Sequence, residues 1–158
     1  MEEWPRMDDL DRKILACLQE DAAMPLADVA KRVGLSPTPA WRRIRKLEQS
    51  GIIRGRVALL DARQLNVGVT VFVSVRTNQH TREWLETFAE AVAVMPEVVE
   101  FYRMSGDIDY LLRVVVPSIE AYDTFYQRLI SKVELYDVSS SFAMEQIKYT
   151  TALPLDYA

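Results

Sequence analysis

The stretch that most limits what this chain can become is Leu35-Ser36-Pro37-Thr38-Pro39-Ala40-Trp41-Arg42-Arg43-Ile44-Arg45-Lys46-Leu47-Glu48. Ser36 suits an N-cap, and Pro37 suits the first helical position, whose N–H has no partner anyway. Ala40, Ile44 and Leu47 then recur at the spacing of one helical face, with Trp41 widening that stripe as a core residue. At about 100° per residue, Thr38, Arg42 and Lys46 fall on the opposite face, flanked by Arg43 and Arg45. Gly51 closes the element. A short helix with one buried face and an outward row of cations behind a hydroxyl has the shape that enters the DNA major groove. A basic amphipathic helix is equally the pattern of a solvated surface.

The residues upstream decide between these. Leu26, Val29, Ala30 and Val33 form a second, shorter apolar stripe, and Gly34 follows it directly. Helix, tight turn with glycine, then basic helix is the helix-turn-helix pattern, and the small Ala30 lets the two helices approach. Ahead of them Asp8-Asp9 favours the start of a first helix, with Leu10, Ile14, Cys17 and Leu18 on its inner side. Ile52–Leu60 reads as extended, the β appendage of a winged helix-turn-helix, with Arg54 and Arg56 in reach of phosphate. Met1–Met7 is expected to be a loose arm in which Trp4 has no evident place.

Charge distribution supports this division. The net charge is −4, yet residues 1–66 hold 12 Lys+Arg against 10 Asp+Glu, while residues 67–158 hold 7 against 13. Positive charge is thus concentrated where nucleic acid would lie, and the acidic half stays off phosphates. The only cysteine, Cys17, is expected to be a buried structural thiol, which suits a reducing cytosol and a cytoplasmic protein. No signal peptide is read, and the longest apolar run, Val67–Val75, is too short to span a bilayer.

The second half changes period. Asp61–Asn66 is polar and serves as a linker. Val67–Arg76 alternates as a strand, and Phe72 on its other side suggests that both faces are covered. Thr81–Met95 is helical with Trp84, Leu85, Phe88, Val92 and Met95 on one side, Thr81 as cap and Pro96 as stop. Val98–Met104 and Tyr110–Val116 are strands joined by a tight turn at Ser105–Asp109. Ser118–Lys132 is a helix with Ile119, Tyr122, Phe125, Tyr126 and Leu129 inward, and Asp137–Tyr149 is the last strand. The order is βαββαβ, the ferredoxin-like arrangement. The expected fold class is therefore α+β: a winged helix-turn-helix over residues 8–60, a linker over 61–66 and a ferredoxin-like βαββαβ regulatory domain over 67–150.

With both halves placed, the chain resembles the Lrp/AsnC (feast/famine) family of transcription regulators over about Asp9 to Pro154. The likeness rests on Leu35–Pro39 with Arg42–Glu48, on Gly51-Ile52-Ile53 and Ala58-Leu59-Leu60, on Ser105-Gly106-Asp107-Ile108-Asp109-Tyr110-Leu111-Leu112, and on Ala143–Lys148. Trp41 and the ending Ser140–Thr151 look like the branch linked to cysteine sensing. The resemblance implies double-stranded DNA as partner, with Ser36, Thr38, Arg42, Arg43, Arg45 and Lys46 at the interface. It also implies a second domain that binds a small effector, an amino acid with cysteine as first candidate, between subunits of a homodimer that assembles to a tetramer or octamer. The effector residues so implied are Met104, Ser105, Gly106, Asp107, Ile108 and Asp109, with Ser140, Ser141 and Phe142 by position in the last strand. The chemistry fits: Asp107 and Asp109 offer charge to an ammonium, main-chain N–H groups around Gly106 can hold a carboxylate, and Met104 and Ile108 can touch a side chain. On the residues alone, Ser105–Asp109 reads first as a hairpin turn, and Ser140–Phe142 as plain strand; it is the resemblance that turns the motif toward an effector site.

Two other classes remain to be weighed. Ferredoxin-like domains host many enzymes. Here the one histidine, His80, sits at a polar site, no phosphate loop, dinucleotide fingerprint or metal-ligand cluster is present, and no cofactor or metal is expected. An oligomeric interaction module that uses its helix-turn-helix for assembly is the third class.

Overall fold

The computed structural model describes residues 7–158. The expectations for residues 1–6, Trp4 among them, lie outside the described residues, while Met7, the last residue of the expected loose arm, packs against the apolar core of the first unit. The chain divides into two compact units: residues 7–58 together with Lys148–Ala158, and Leu59–Ile147.

In the first unit, helix α1 spans Asp9–Glu20, α2 Leu26–Val33 and α3 Pro37–Gln49. Ile14, Leu15 and Cys17 of α1, Val29 and Val33 of α2, and Ile44 and Leu47 of α3 close one apolar core, which leaves a single buried stripe per helix. Helix α1 opens on a reciprocal cap: Asp8 accepts from the Asp11 N–H at 2.9 Å, and Asp11 accepts from the Asp8 N–H at 3.3 Å. The turn between α2 and α3 is made by Gly34, whose φ of 74° is left-handed and unfavourable for a residue carrying a Cβ. Ser36 stands at the N-cap of α3 as expected, but its side chain makes no capping bond.

Two expectations for this unit fail. Trp41 is 52% exposed rather than core, because α1 and α2 cover only the Ala40–Ile44–Leu47 side of α3. The wing strand is also absent: residues 54–60 form no ladder, and Val57, Leu59 and Leu60 are exposed. An extended segment needs a partner for its N–H and C=O groups, and a single chain supplies none here.

The second unit is built from β1 (Val69–Arg76), α4 (Arg82–Ala93), β2 (Val98–Arg103), β3 (Tyr110–Val116), α5 (Ile119–Lys132) and β4 (Asp137–Phe142). The strands pair antiparallel in the order β2-β3-β1-β4, the ferredoxin-like topology. Val71, Val73 and Val75 of β1 and Leu112, Val114 and Val116 of β3 pack with Trp84, Phe88 and Val92 of α4 and Phe125 and Leu129 of α5. Thr81 caps α4 as expected, accepting from the Trp84 N–H, and Ser118, expected inside the helix, caps α5 by accepting from the Ala121 N–H, each at 3.2 Å.

Both helices lie on one face of the sheet, so no helix of this unit covers the other. Phe72 is 38% exposed there, so the expected cover on both faces is not supplied by the described residues. Ile119 also departs from its inward assignment: at the first position of α5 it precedes the buried stripe and is exposed. The last strand stops at Phe142 and not at Tyr149. Phe142 opposes Val71 and the Ala143 N–H still reaches the Thr70 carbonyl, but β1 begins at Val69 and offers no edge beyond.

Candidate DNA interface and effector site

The outward face of α3 carries two kinds of cation. Arg42 and Lys46 are exposed and, among the described residues, form no ion pair. Ser36 and Thr38 are exposed at the start of the same helix, where unpaired N–H groups and the positive end of the dipole favour an anion. Arg43 is turned elsewhere. Its guanidinium meets Asp8 and Asp11 of the α1 cap, at 2.8 Å from each carboxylate. Those two carboxylates hold the Arg43 guanidinium above its ordinary value. Asp8 is held below the ordinary carboxylate value, first by the Asp11 N–H and then by Arg43. Asp11 is itself buried, so Arg43 neutralises a carboxylate inside the unit and fastens α3 to α1.

Arg45 pairs with Glu48 at 3.2 Å and lies 6.0 Å over the Trp41 ring. Glu48 also receives Arg56, at 3.2 Å. Trp41 lines a cleft of about 300 Å³ together with Leu18, Leu26, Val29 and the Arg45–Glu48–Arg56 group. Six residues were expected at the DNA face. Four of them, Ser36, Thr38, Arg42 and Lys46, share one free surface, while Arg43 and Arg45 are engaged within the unit. Trp41 joins that surface at its flank. Helical spacing alone could have revealed this, since Trp41 lies about 100° from Ala40 and therefore at the margin of the buried stripe.

In the second unit Met104–Asp109 forms the turn between β2 and β3. Gly106 has a φ of 112°, and Ser105, Gly106 and Asp107 are exposed. Asp109 is a tie in the turn. Its main chain donates to Val75 and accepts from Met104, and its carboxylate accepts from the Thr77 N–H at 2.8 Å. Asp107 makes no hydrogen bond or ion pair among the described residues, so its charge is available. Met104 is exposed and Ile108 half-buried.

Ser140, Ser141 and Phe142 do not join this turn in one chain. Ser140 opposes Val73 and Phe142 opposes Val71, whereas the turn adjoins Val75 on the β3 side of β1. Strand geometry then sets them roughly 7–13 Å away along β1 and on the opposite flank of it. Their side chains also diverge. Ser140 bonds the Tyr122 hydroxyl, and Phe142 meets the Tyr122 ring edge-on at 5.3 Å. Ser141, opposite Phe72, points to the bare face. Burial raises the Tyr122 hydroxyl above its ordinary value against the lowering influence of Ser140.

A helix-turn-helix unit with an outward basic helix, joined to a ferredoxin-like unit, is the arrangement of DNA-binding regulators with an appended ligand domain. Residues 7–48 match the AsnC-type helix-turn-helix domain, and residues 70–153 match the Lrp/AsnC ligand binding domain. The chain belongs to the Lrp/AsnC family of DNA-binding transcription regulators. It is 50% identical over 151 residues to the DNA-binding transcriptional activator DecR of Escherichia coli, covering 95% of this chain and 99% of that protein. Among solved structures, an AsnC family transcriptional regulator from Agrobacterium tumefaciens matches with a TM-score of 0.93 and 68% identity, over 96% of this chain and 99% of that one. A transcriptional regulator from Neisseria meningitidis, solved as an L-Met complex, matches with a TM-score of 0.92 and 36% identity over the same shares.

Proposed function

We propose that this protein is a non-enzymatic, sequence-specific regulator of amino-acid metabolism that reads double-stranded DNA in the cytoplasm and responds to an amino acid. The carrying observation is the free surface of α3, where Ser36, Thr38, Arg42 and Lys46 stand outward while Arg43 and Arg45 are engaged within the unit. Arg42 is the base or phosphate reader, Lys46 a phosphate contact, and Ser36 and Thr38 hold phosphate at the helix start. Arg43 acts one step back by fixing the angle of α3, and Trp41 offers an apolar edge for a thymine methyl.

The effector site is the Met104–Asp109 turn of one chain, completed by groups from another copy. The separation of this turn from Ser140–Phe142 within one chain supports a shared site. Asp107 pairs with the amino acid's ammonium, main-chain N–H groups around Gly106 take its carboxylate, and Asp109 keeps the turn in shape. A homodimer is supported by two uncovered apolar surfaces, the Phe72 face of the sheet and the Val57–Leu60 segment, and it assembles further to a tetramer or octamer. In such a dimer two recognition helices meet a pseudo-palindromic site, and the effector acts by favouring one arrangement of them. Cysteine remains the first candidate, on the strength of Trp41 and the Ser140–Thr151 ending.

The test is binding of the protein to duplex DNA from upstream of its own gene, over a salt series and with each of the twenty amino acids in turn. A steep salt dependence, abolished by Arg42→Glu, with a shift caused by one or two amino acids is the expected result. Binding that survives Arg42→Glu unchanged removes α3 from the interface, and a flat response to every amino acid removes the effector reading.

A further inference from the structure

The chain leaves the first unit after Ala58, builds the whole second unit and returns, so that Lys148–Ala158 belongs to the helix-turn-helix unit. The returning segment has no ladder or helix of its own. Three side chains hold it. Gln19 uses both ends of its amide on one residue, donating to the Leu153 carbonyl at 3.1 Å and accepting from the Leu153 N–H at 2.6 Å. This is the pairing by which an extended strand is read, supplied here by a helix side chain. Leu155, half-buried, packs on the apolar core of α1, α2 and α3. Arg12 donates to the Ala158 carbonyl. Arg12 and Gln19 lie seven residues, two turns, apart on one side of α1, about 10 Å along its axis. The segment therefore runs antiparallel to α1, and its last turn, closed by the Ala158 N–H on the Leu155 carbonyl, shortens it to that span.

Helix α1 is also the helix that holds α3. Asp11, next to Arg12, pairs with Arg43. A continuous set of contacts thus leads from the tail through α1 to the recognition helix. The grip is weak relative to what it orders: a few exposed hydrogen bonds and one half-buried leucine against the freedom of eleven residues. Segments held so marginally open and close well below global unfolding.

We propose that Lys148–Ala158 is a regulatory strap of the helix-turn-helix unit, clipped to α1 by Gln19, Leu155 and Arg12, whose docking holds α3 in its DNA-binding position. The consequence for DNA rests on the reading of α3 as the recognition helix; the docking and its effect on α3 do not. Since the strap begins a few residues beyond β4, whatever alters β4 has a covalent route to the DNA unit besides the chain that leads from α3 to β1.

Cys17 makes this measurable. It is the only cysteine, it is buried, and it belongs to the apolar core of the three helices on which Leu155 packs. The full-length protein is treated with an aromatic disulfide reagent, and the rate of Cys17 modification is followed in wild type, Gln19→Ala, Leu155→Asp and the control Tyr157→Ala, whose side chain is exposed. Hydrogen exchange of the α3 amides and affinity for a labelled duplex from upstream of its own gene are measured on the same proteins. Gln19→Ala and Leu155→Asp are expected to raise the Cys17 rate about fivefold or more, to speed exchange in α3 and to weaken DNA binding several-fold, with Tyr157→Ala unchanged. Wild-type Cys17 rates in both variants overturn the strap. A raised Cys17 rate with unchanged exchange in α3 overturns its control of the recognition helix. If the wild type binds no duplex, the DNA reading fails, and the Cys17 and exchange results still decide the strap.

Discussion

Two neighbouring arginines on α3 have different work. Arg42 projects from the helix without a partner among the described residues, and Arg43 closes over the buried Asp11. Arg42→Ala is expected to lower the salt slope of DNA binding by about one unit and to leave stability unchanged. Arg43→Ala leaves a buried carboxylate unpaired and is expected to lower stability by about 1–3 kcal/mol in denaturant titrations. Equal stability of the two variants would contradict the division. The two aspartates of the effector turn separate in the same way. On the proposed effector site, Asp107→Asn is expected to weaken amino-acid binding by about tenfold or more in calorimetry, since it removes the charge offered to the ammonium. Asp109→Asn keeps an oxygen for the Thr77 N–H and should preserve the turn, whereas Asp109→Ala removes that acceptor and lowers stability. Weaker effector binding in Asp109→Asn than in Asp107→Asn would exchange the roles assigned to them.

At the scale of elements, the start of α1 joins capping to interhelical pairing. The Asp8 carboxylate serves the Asp11 N–H and the Arg43 guanidinium together, and both hold it below its ordinary value of 3.8. A carboxyl lowered in the folded state contributes stability that is fully present above the ordinary value and is lost as pH falls through the lowered one. The helix-turn-helix unit is therefore expected to lose stability as pH drops below about 3.8. Helical circular dichroism at fixed denaturant reads this, and Asp8→Asn should flatten the profile. A variant with the wild-type acid limb would place the titration in another carboxylate. The strap belongs to this scale too, because it meets α1 on another side of the same helix.

At the scale of the molecule, the apolar surface left uncovered among the described residues includes the sheet face around Phe72 and the segment Val57–Leu60. A sheet with helices on one side alone exposes its other side unless a second layer arrives. Phe72→Glu puts a charge at the centre of that face and is expected to shift sedimentation from dimer or larger species to monomer, with the secondary structure retained. Unchanged mass would exclude this face from assembly. No helix among the described residues is long and apolar enough to cross a membrane.

Much of the fold was legible in order along the chain. The Ala40–Ile44–Leu47 stripe, the Gly34 turn, the valine alternation of β1 and the cap at Thr81 all depend on neighbours within a few residues. Periodicity and backbone sterics over that range are properties of the sequence itself. The candidate DNA helix was legible for the same reason. What the sequence could not decide is which partner each group chooses. Arg43 finds Asp8 and Asp11 more than 30 positions upstream, and Gln19 finds Leu153 across 134. Trp41 is left at the edge because three short helices cover only one stripe. β4 ends where β1 has no more edge to pair, and Ser140–Phe142 stay apart from the effector turn because β1 runs between them. Elements follow from local pattern, but charge pairing, uncovered faces and the docking of the tail follow from long-range packing, which only the tertiary structure supplies.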